Sequence, residues 1–242
     1  MALFGLFGSK EERDQKRVKD LAKKAQEVYG DPTGRMKAIE ALRELGTPEA
    51  ISGLLARFTV KVEPGITDAE EKDYVFGMVT SFGDAAIEPV REFIRRNNLV
   101  SWGLRCLETL VDEDEVVATT VSVLDRLAKE YSRDPEKKVV LINHLANHQD
   151  PRITPAVIPF LEDQSDDVRL ASMVTLVKQA DEACREPIVL RLVGDEAVRV
   201  RAAAAAALAT LGFGVQGYRE KAEAMLPEGF FLDRESVVKR RE

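Results

Sequence analysis

Apolar residues return along this chain in one repeated spacing. Counting from an anchor residue, a small or apolar residue follows at +3, an apolar one at +7 and, in four of the six copies, another at +10, often with Gly next. The last copy is the clearest: Val200-Arg201, then Ala204, Leu208, Leu211 and Gly212. The anchors are Arg35, Lys72, Val100, Lys138, Arg169 and Arg201, and the +7 residues are Leu42, Val79, Leu107, Leu145, Leu176 and Leu208. Positions +3, +7 and +10 lie about one helical turn apart, so they share one helix face. Each copy therefore predicts an amphipathic helix of about four turns. A second apolar-periodic segment follows each: Ile51, Leu54, Leu55 and Phe58 in the first copy, Ile87, Val90, Phe93 and Ile94 in the second, Cys184, Ile188, Leu190 and Leu192 in the fifth. The last pair is weaker, resting on Tyr218, Ala222 and Met225.

Helix-entry chemistry supports these boundaries. Asp31-Pro32, Thr47-Pro48, Asp134-Pro135 and Thr154-Pro155 place a capping side chain before a Pro at the first helical position. Thr67 with Glu70, and Ser9 with Glu12, have the capping-box spacing. Gly46, Gly83 and Gly212 follow the +10 residue, where a helix needs a left-handed exit. The unit is helix–turn–helix, with anchors separated by 37, 28, 38, 31 and 32 residues. One such unit cannot bury its apolar faces alone, so stacking is required. No stretch alternates as a strand should; Thr59–Val62 is at most a short extended piece.

The expected fold class is all-α: a right-handed α–α superhelix, or solenoid, of about six helical hairpins. Three regions are expected. Residues 1–29 are an apolar segment and a capping helix, with Val18, Leu21, Ala25 and Val28 as its stripe; residues 30–226 are the repeats; residues 227–242 are a C-terminal cap or tail.

The spacing resembles that of HEAT repeats, in particular the short bacterial HEAT-like type found in phycobilisome lyases. Asp163…Val168-Arg169…Leu176 and Asp195…Val200-Arg201-x2-Ala204…Leu208…Gly212 carry the resemblance. In such repeats an Asp six residues before the Arg pairs with a ladder of Arg along the stack, and Asp163/Arg169 and Asp195/Arg201 keep that spacing. Copies two to four depart from it, with Lys72, Val100 and Lys138 at the anchor. The Trp-Leu-Gly-Tyr signature of tetratricopeptide repeats is absent, since Trp102 is the only Trp. The resemblance implies a bacterial origin and a fold, and a fold does not carry its function with it.

Composition narrows the classes. The 242 residues are 45% hydrophobic, 32% charged and 6% aromatic, with a net charge of −7. An acidic chain with one Trp repels phosphate backbones, so no nucleic-acid partner is expected. Cys106 and Cys184 lie two repeats apart and are read as reduced core thiols, which with the lack of a secretory or membrane-spanning segment suggests the cytoplasm.

Candidate chemistry is sparse. His144 and His148 are the only histidines and stand at i, i+4, a zinc-ligand spacing, but no Glu follows His144 and no third ligand is evident. The favoured reading is structural, with no metal and no cofactor. The HEAT-like enzyme deoxyhypusine hydroxylase holds iron through His-Glu pairs, and this sequence has no His-Glu pair. The Asp112–Glu115 run lacks the rhythm of a calcium loop and suits a helix start. The insertion Val60–Glu71 is either a binding edge or a solvated acidic loop. No nucleophile–base set or phosphate loop stands out, so the chain is expected not to be an enzyme but a non-catalytic scaffold for a protein partner.

Two partner surfaces are expected. Second helices line the concave face of HEAT solenoids, and here they carry Arg57; Arg91, Arg95 and Arg96; Arg126 and Lys129; Arg185 and Arg191. They form either a positive groove for an acidic protein partner or a solvated face neutralised by neighbouring Glu. Leu3, Phe4, Leu6 and Phe7 precede a run of Lys and Arg, an order suited to weak contact with an anionic membrane surface. Docking on the repeats or on a partner is the rival reading of that segment, and an enzyme or lyase accessory subunit is the rival class for the whole.

Overall fold

The structure, a computed structural model, describes residues 10–129 and 134–241. It is all-α apart from one short hairpin, and its helices pair as HEAT-like hairpins. The chain forms two compact units, Met1–Asp112 and Glu113–Glu242.

The first unit holds α1 (Lys10–Ala25), α2 (Pro32–Leu45), α3 (Pro48–Leu55), a 3-10 turn (Ala56–Thr59), α4 (Gly65–Ser81), α5 (Asp84–Arg96) and α6 (Ser101–Leu110). Local chemistry explains the first hairpin. Asp31 accepts a hydrogen bond from the Thr33 N–H at 2.9 Å and Pro32 opens α2. Gly46 ends α2 at φ 58°, in the left-handed region that favours glycine. Thr47 then caps α3 by accepting from the Ala50 N–H at 3.2 Å. α1 packs on α2 and α3, α3 on α5, and α4 on α6. Ile39, Leu42, Ile51, Leu54, Leu55, Val75, Val79, Val90, Ile94 and Leu107 are fully buried. Burial of each such side chain contributes roughly 1.5–3 kcal/mol. Gly103 lets α6 approach α5 closely, since a Cβ there would lie 2.8 Å from the Phe93 ring. The Trp102 ring stacks on Phe58, with centroids 5.2 Å apart.

The second unit holds α7 (Glu113–Leu127), α8 (Glu136–Leu145), α9 (Ile153–Val157) running into a 3-10 turn (Ile158–Glu162), α10 (Asp166–Gln179), a 3-10 turn (Glu182–Cys184), α11 (Arg185–Gly194), α12 (Val198–Leu211), α13 (Arg219–Met225), β1 (Phe230–Leu232) and β2 (Val238–Arg240). First helices stack as α8, α10, α12, and second helices as the α9 segment, α11, α13. β1 and β2 pair antiparallel with Phe231 opposite Lys239, and β2 packs on α12, burying Val238.

Several local expectations are corrected. Thr59 closes a 3-10 turn, and the strands lie instead at β1 and β2. Asp233 builds their turn by accepting from the Glu235 and Val237 N–H groups, both at 2.9 Å. Thr67 is not a cap, because α4 already begins at Gly65 after a cis Glu63–Pro64 bond. Thr154 and Pro155 lie inside α9; Asp150 turns the chain there, accepting from the Arg152 N–H at 2.8 Å. Ser9 and the apolar residues Leu3, Phe4, Leu6 and Phe7 lie outside the described residues. Among the described residues no helix is long and apolar enough to cross a membrane.

Candidate functional site

The anchor positions build ion pairs that link successive repeats. In the second unit, Lys138 on α8 reaches forward to Asp163, with Nζ 2.6 Å from Oδ2. Arg169 on α10 reaches forward to Asp195, with Nε 2.9 Å from Oδ2 and Nη2 3.0 Å from Oδ1. Each Asp also turns the backbone into the next helix. Asp163 accepts from the Ser165 N–H at 2.9 Å and Asp195 from the Ala197 N–H at 3.0 Å. The Arg six residues later holds its own Asp by the backbone: Arg169 Nη1 donates to the Asp163 carbonyl at 2.6 Å, and Arg201 Nη1 to the Asp195 carbonyl at 2.7 Å. The six-residue spacing thus reflects an Arg-to-carbonyl bond, while the carboxylate serves the preceding repeat.

In the first unit the corresponding acid has moved into a helix. Glu71 of α4 accepts from Arg35 Nε at 2.8 Å and Nη2 at 2.7 Å, and from Arg57 Nε at 3.0 Å. Arg57 Nη2 donates to Asp68 at 2.8 Å, and Asp68 also takes the Val62 N–H and Lys72 Nζ. Burial alone would raise the Glu71 carboxyl, but hydrogen bonds from Arg35 and Arg57 outweigh it and hold it below the usual range. Asp68 is held down in the same way, burial being outweighed by bonds from Lys72, Arg57 and Val62. The insertion Val60–Glu71 is therefore only in part a solvated acidic loop: Glu63 and Glu70 are exposed, whereas Asp68 and Glu71 are buried.

This network corrects one predicted partner contact. Arg57 is 0% exposed, its charge consumed by Glu71 and Asp68, so it presents nothing to a partner. On α5, Arg95 pairs with Glu88 and Glu92, and Arg96 pairs with Glu92. These two lie on a neutralised surface, and Arg91 is half-buried beside them. In the second unit Arg126 and Lys129 are exposed near the end of α7 and after it. Arg185 Nη1 lies 3.4 Å from both the Gly214 carbonyl and Gln216 Oε1. Arg191 sits 3.7 Å from Glu162 and 3.9 Å from Asp195, both beyond hydrogen-bond range. The eight basic residues are distributed over both units, and the residues around each set its availability.

Sequence reasoning missed the groove beside Arg191. The 3-10 turn Ile158–Glu162 and α11 leave an open cavity of about 250 Å³ lined by Ile158, Pro159, Leu161, Pro187 and Leu190, with Glu162 and Arg191 as its charged residues. The signal was a proline near the start of each of two neighbouring second-row segments. A second cavity, of about 300 Å³, lies in the first unit along Arg17, Val18, Leu45 and Thr47.

His144 and His148 stand ring to ring with centroids 5.1 Å apart. His148 Nδ1 lies 2.9 Å from Glu113 in the first turn of α7. Burial, with the neighbouring His148, pushes His144 down to about 4. Burial pushes the Cys106 thiol up to about 12 and Cys184 to about 11, so neither carries thiolate at neutral pH.

These hairpins define an α-helical repeat protein with HEAT-like repeats. Residues 35–58, which span most of α2, all of α3 and the start of its 3-10 extension, match the family model described as PBS lyase HEAT-like repeat. Among solved structures, that of human deoxyhypusine hydroxylase in complex with glycerol is similar at a TM-score of 0.33 and 17% identity, covering 89% of this chain and 90% of that one. No curated protein matches the sequence. The expectation that the chain is not an enzyme is corrected here. The similar structure is that of an enzyme, so the absence of catalysis does not follow from a fold of this kind. At that identity and TM-score the likeness assigns no reaction, ligand or residue role to this chain.

Proposed function

We propose that the chain is a protein-binding repeat scaffold that seats an acidic partner segment on the second-row elements of its second unit. The groove between Ile158–Glu162 and α11 carries this reading. Its walls are aliphatic: Ile158, Pro159, Pro187 and Leu190, the last 36% exposed. Its volume suits one or two aliphatic side chains, which gain from leaving water. Arg191 at its edge is ion-paired with Glu162 at 3.7 Å and Asp195 at 3.9 Å, neither as close as a hydrogen bond, so a partner carboxylate that reaches hydrogen-bond distance competes with those looser pairs. Glu162 is 74% exposed at its side chain and is free to swing away when that carboxylate arrives.

The test is affinity capture from the source organism with the full chain as bait, alongside Leu190→Glu and Arg191→Glu. A partner retained by the parent chain is expected to be lost from both variants and kept by Arg96→Ala, which alters only the neutralised surface of α5. Circular dichroism checks that the helices persist. An unchanged partner set in the two groove variants refutes the proposal.

A further inference from the structure

Arg169 and Arg201 occupy the same place in consecutive repeats and are held by the same backbone groups. Arg169 Nη1 donates to the carbonyls of Asp163 and Gln164, at 2.6 and 3.3 Å. Arg201 Nη1 donates to the carbonyls of Asp195 and Glu196, at 2.7 and 3.0 Å. These are the residues six and five positions before each Arg, so the two guanidiniums are fixed alike. Their remaining nitrogens face different surroundings. Arg169 donates Nη2 to Asp195 in the next repeat, with Nε 2.9 Å from the other carboxylate oxygen, and Nη2 also to Asp166, three residues before it. At Arg201 the residue three before is Val198, apolar and 66% exposed, and the next repeat is replaced by α13 and the β1–β2 hairpin. Among the described residues Arg201 meets those two carbonyls and no carboxylate.

We infer that Arg201 is an open rung: a binding position for an aspartate or glutamate side chain presented by a partner protein. Two successive rungs show the chemistry that fits. Lys138 and Arg169 each take the carboxylate of an Asp in a loop leading into a helix. Arg201 is half-exposed and oriented in advance, so a carboxylate meets Nε and Nη2 in a bidentate pair with little ordering cost. Val198, three residues before Arg201 and 66% exposed, adds apolar surface beside the site. This site lies on the first-helix row and does not rest on the groove beside Leu190.

The experiment monitors arginine Nε–Hε resonances of the full ¹⁵N-labelled chain, with the Arg201 signal assigned through Arg201→Lys. The probe is a synthetic peptide with the sequence of residues 192–199 carrying Glu196→Gln, which leaves one side-chain carboxylate. The Arg201 signal is expected to shift in a saturable way while the Arg169 signal stays, because its acids are already in place. The same peptide with Asp195→Asn is expected to bind at least about tenfold more weakly. No Arg201 shift with the aspartate peptide, or equal binding of the asparagine peptide, overturns the inference. Tighter binding of inorganic phosphate than of the aspartate peptide also overturns it, marking a general anion site. Repeating the titration with Leu190→Glu separates this site from the groove: the Arg201 shift is expected to be unaltered.

Discussion

Replacing Glu71 with alanine removes the one carboxylate that holds two buried guanidiniums. Arg35 is 3% exposed and Arg57 is 0% exposed, and Glu71 takes three charge-assisted hydrogen bonds from them. Their losses differ. Arg57 keeps Asp68 at 2.8 Å and the Val60 carbonyl at 3.2 Å, whereas among the described residues Arg35 keeps only the Glu27 carbonyl at 2.9 Å. Removing one partner of a buried pair costs about 3–5 kcal/mol, because the other charge stays in a poor solvent. With Asp68 still serving Arg57, the lower end applies, about 3 kcal/mol. That is a large share of the roughly 5–15 kcal/mol that separates a folded domain from its unfolded state.

Trp102 makes the measurement local. It is the only Trp of the chain, lies on α6 in the same unit, and stacks on Phe58, the neighbour of Arg57. Urea unfolding followed by its fluorescence should show Glu71→Ala destabilised by about 3 kcal/mol, against less than about 0.5 kcal/mol for Glu63→Ala, whose side chain is 78% exposed. Adding Arg35→Met to Glu71→Ala should recover part of the loss, since the stranded charge is then removed and replaced by an apolar chain of similar length. A loss below about 1 kcal/mol for Glu71→Ala, or no recovery in the double variant, refutes the view that this network is a buried and mutually dependent set.

Ala180 ends α10 at φ 54°, where the equivalent helices α2 and α12 end on Gly46 and Gly212. Relief of left-handed strain, roughly 1–2 kcal/mol, is partly offset by the greater freedom of glycine when unfolded, so Ala180→Gly should stabilise the second unit by about 0.5–1 kcal/mol, measured by thermal unfolding. His144 titrates at about 4 when folded against an ordinary value of 6.5, so the folded state favours its neutral form. Its contribution is complete above pH 6.5 and is lost as pH falls from 6.5 towards 4, by up to about 3 kcal/mol. Hydrogen exchange over α8 should accelerate across that window, and His144→Leu should flatten the dependence.

The parts of the fold written on a single helix were legible in the sequence. The +3 and +7 positions of the first and last copies, Ala38, Leu42, Ala204 and Leu208, are all buried. Asp31 and Thr47 cap where their side chains and adjoining prolines said they would. The side-chain destination of Arg57 was not legible. Its own helix period allows it to face solvent; a carboxylate fourteen positions later, on another helix, draws it inside. Asp68 and Glu71, one turn apart beside the Lys72 anchor, were the available signal, but their place in an apparent loop insertion pointed outward. The hairpin at β1 and β2 was hidden for another reason: three-residue strands are too short to show alternation, and the Asp233 turn was their only mark.

The ladder shows the same division between local and distant information. Asp163 with Arg169 and Asp195 with Arg201 are the right residues, but a spacing within one copy cannot say which atoms meet. The carboxylates cross to cations 25 and 26 residues earlier, and only the carbonyls stay with the Arg of their own copy. A rung is therefore a relation between repeats, and its quality depends on the acid in the next repeat rather than on the motif around the Arg. Copy six matches the pattern best in sequence, yet its Arg has no acid ahead of it among the described residues. The same reasoning accounts for Lys138: it departs from the motif, but Asp163 lies ahead of it and the rung is closed at 2.6 Å. Regularity within a copy thus reports how well a helix packs, while the sequence of the next copy decides whether its cation is occupied or open to another chain.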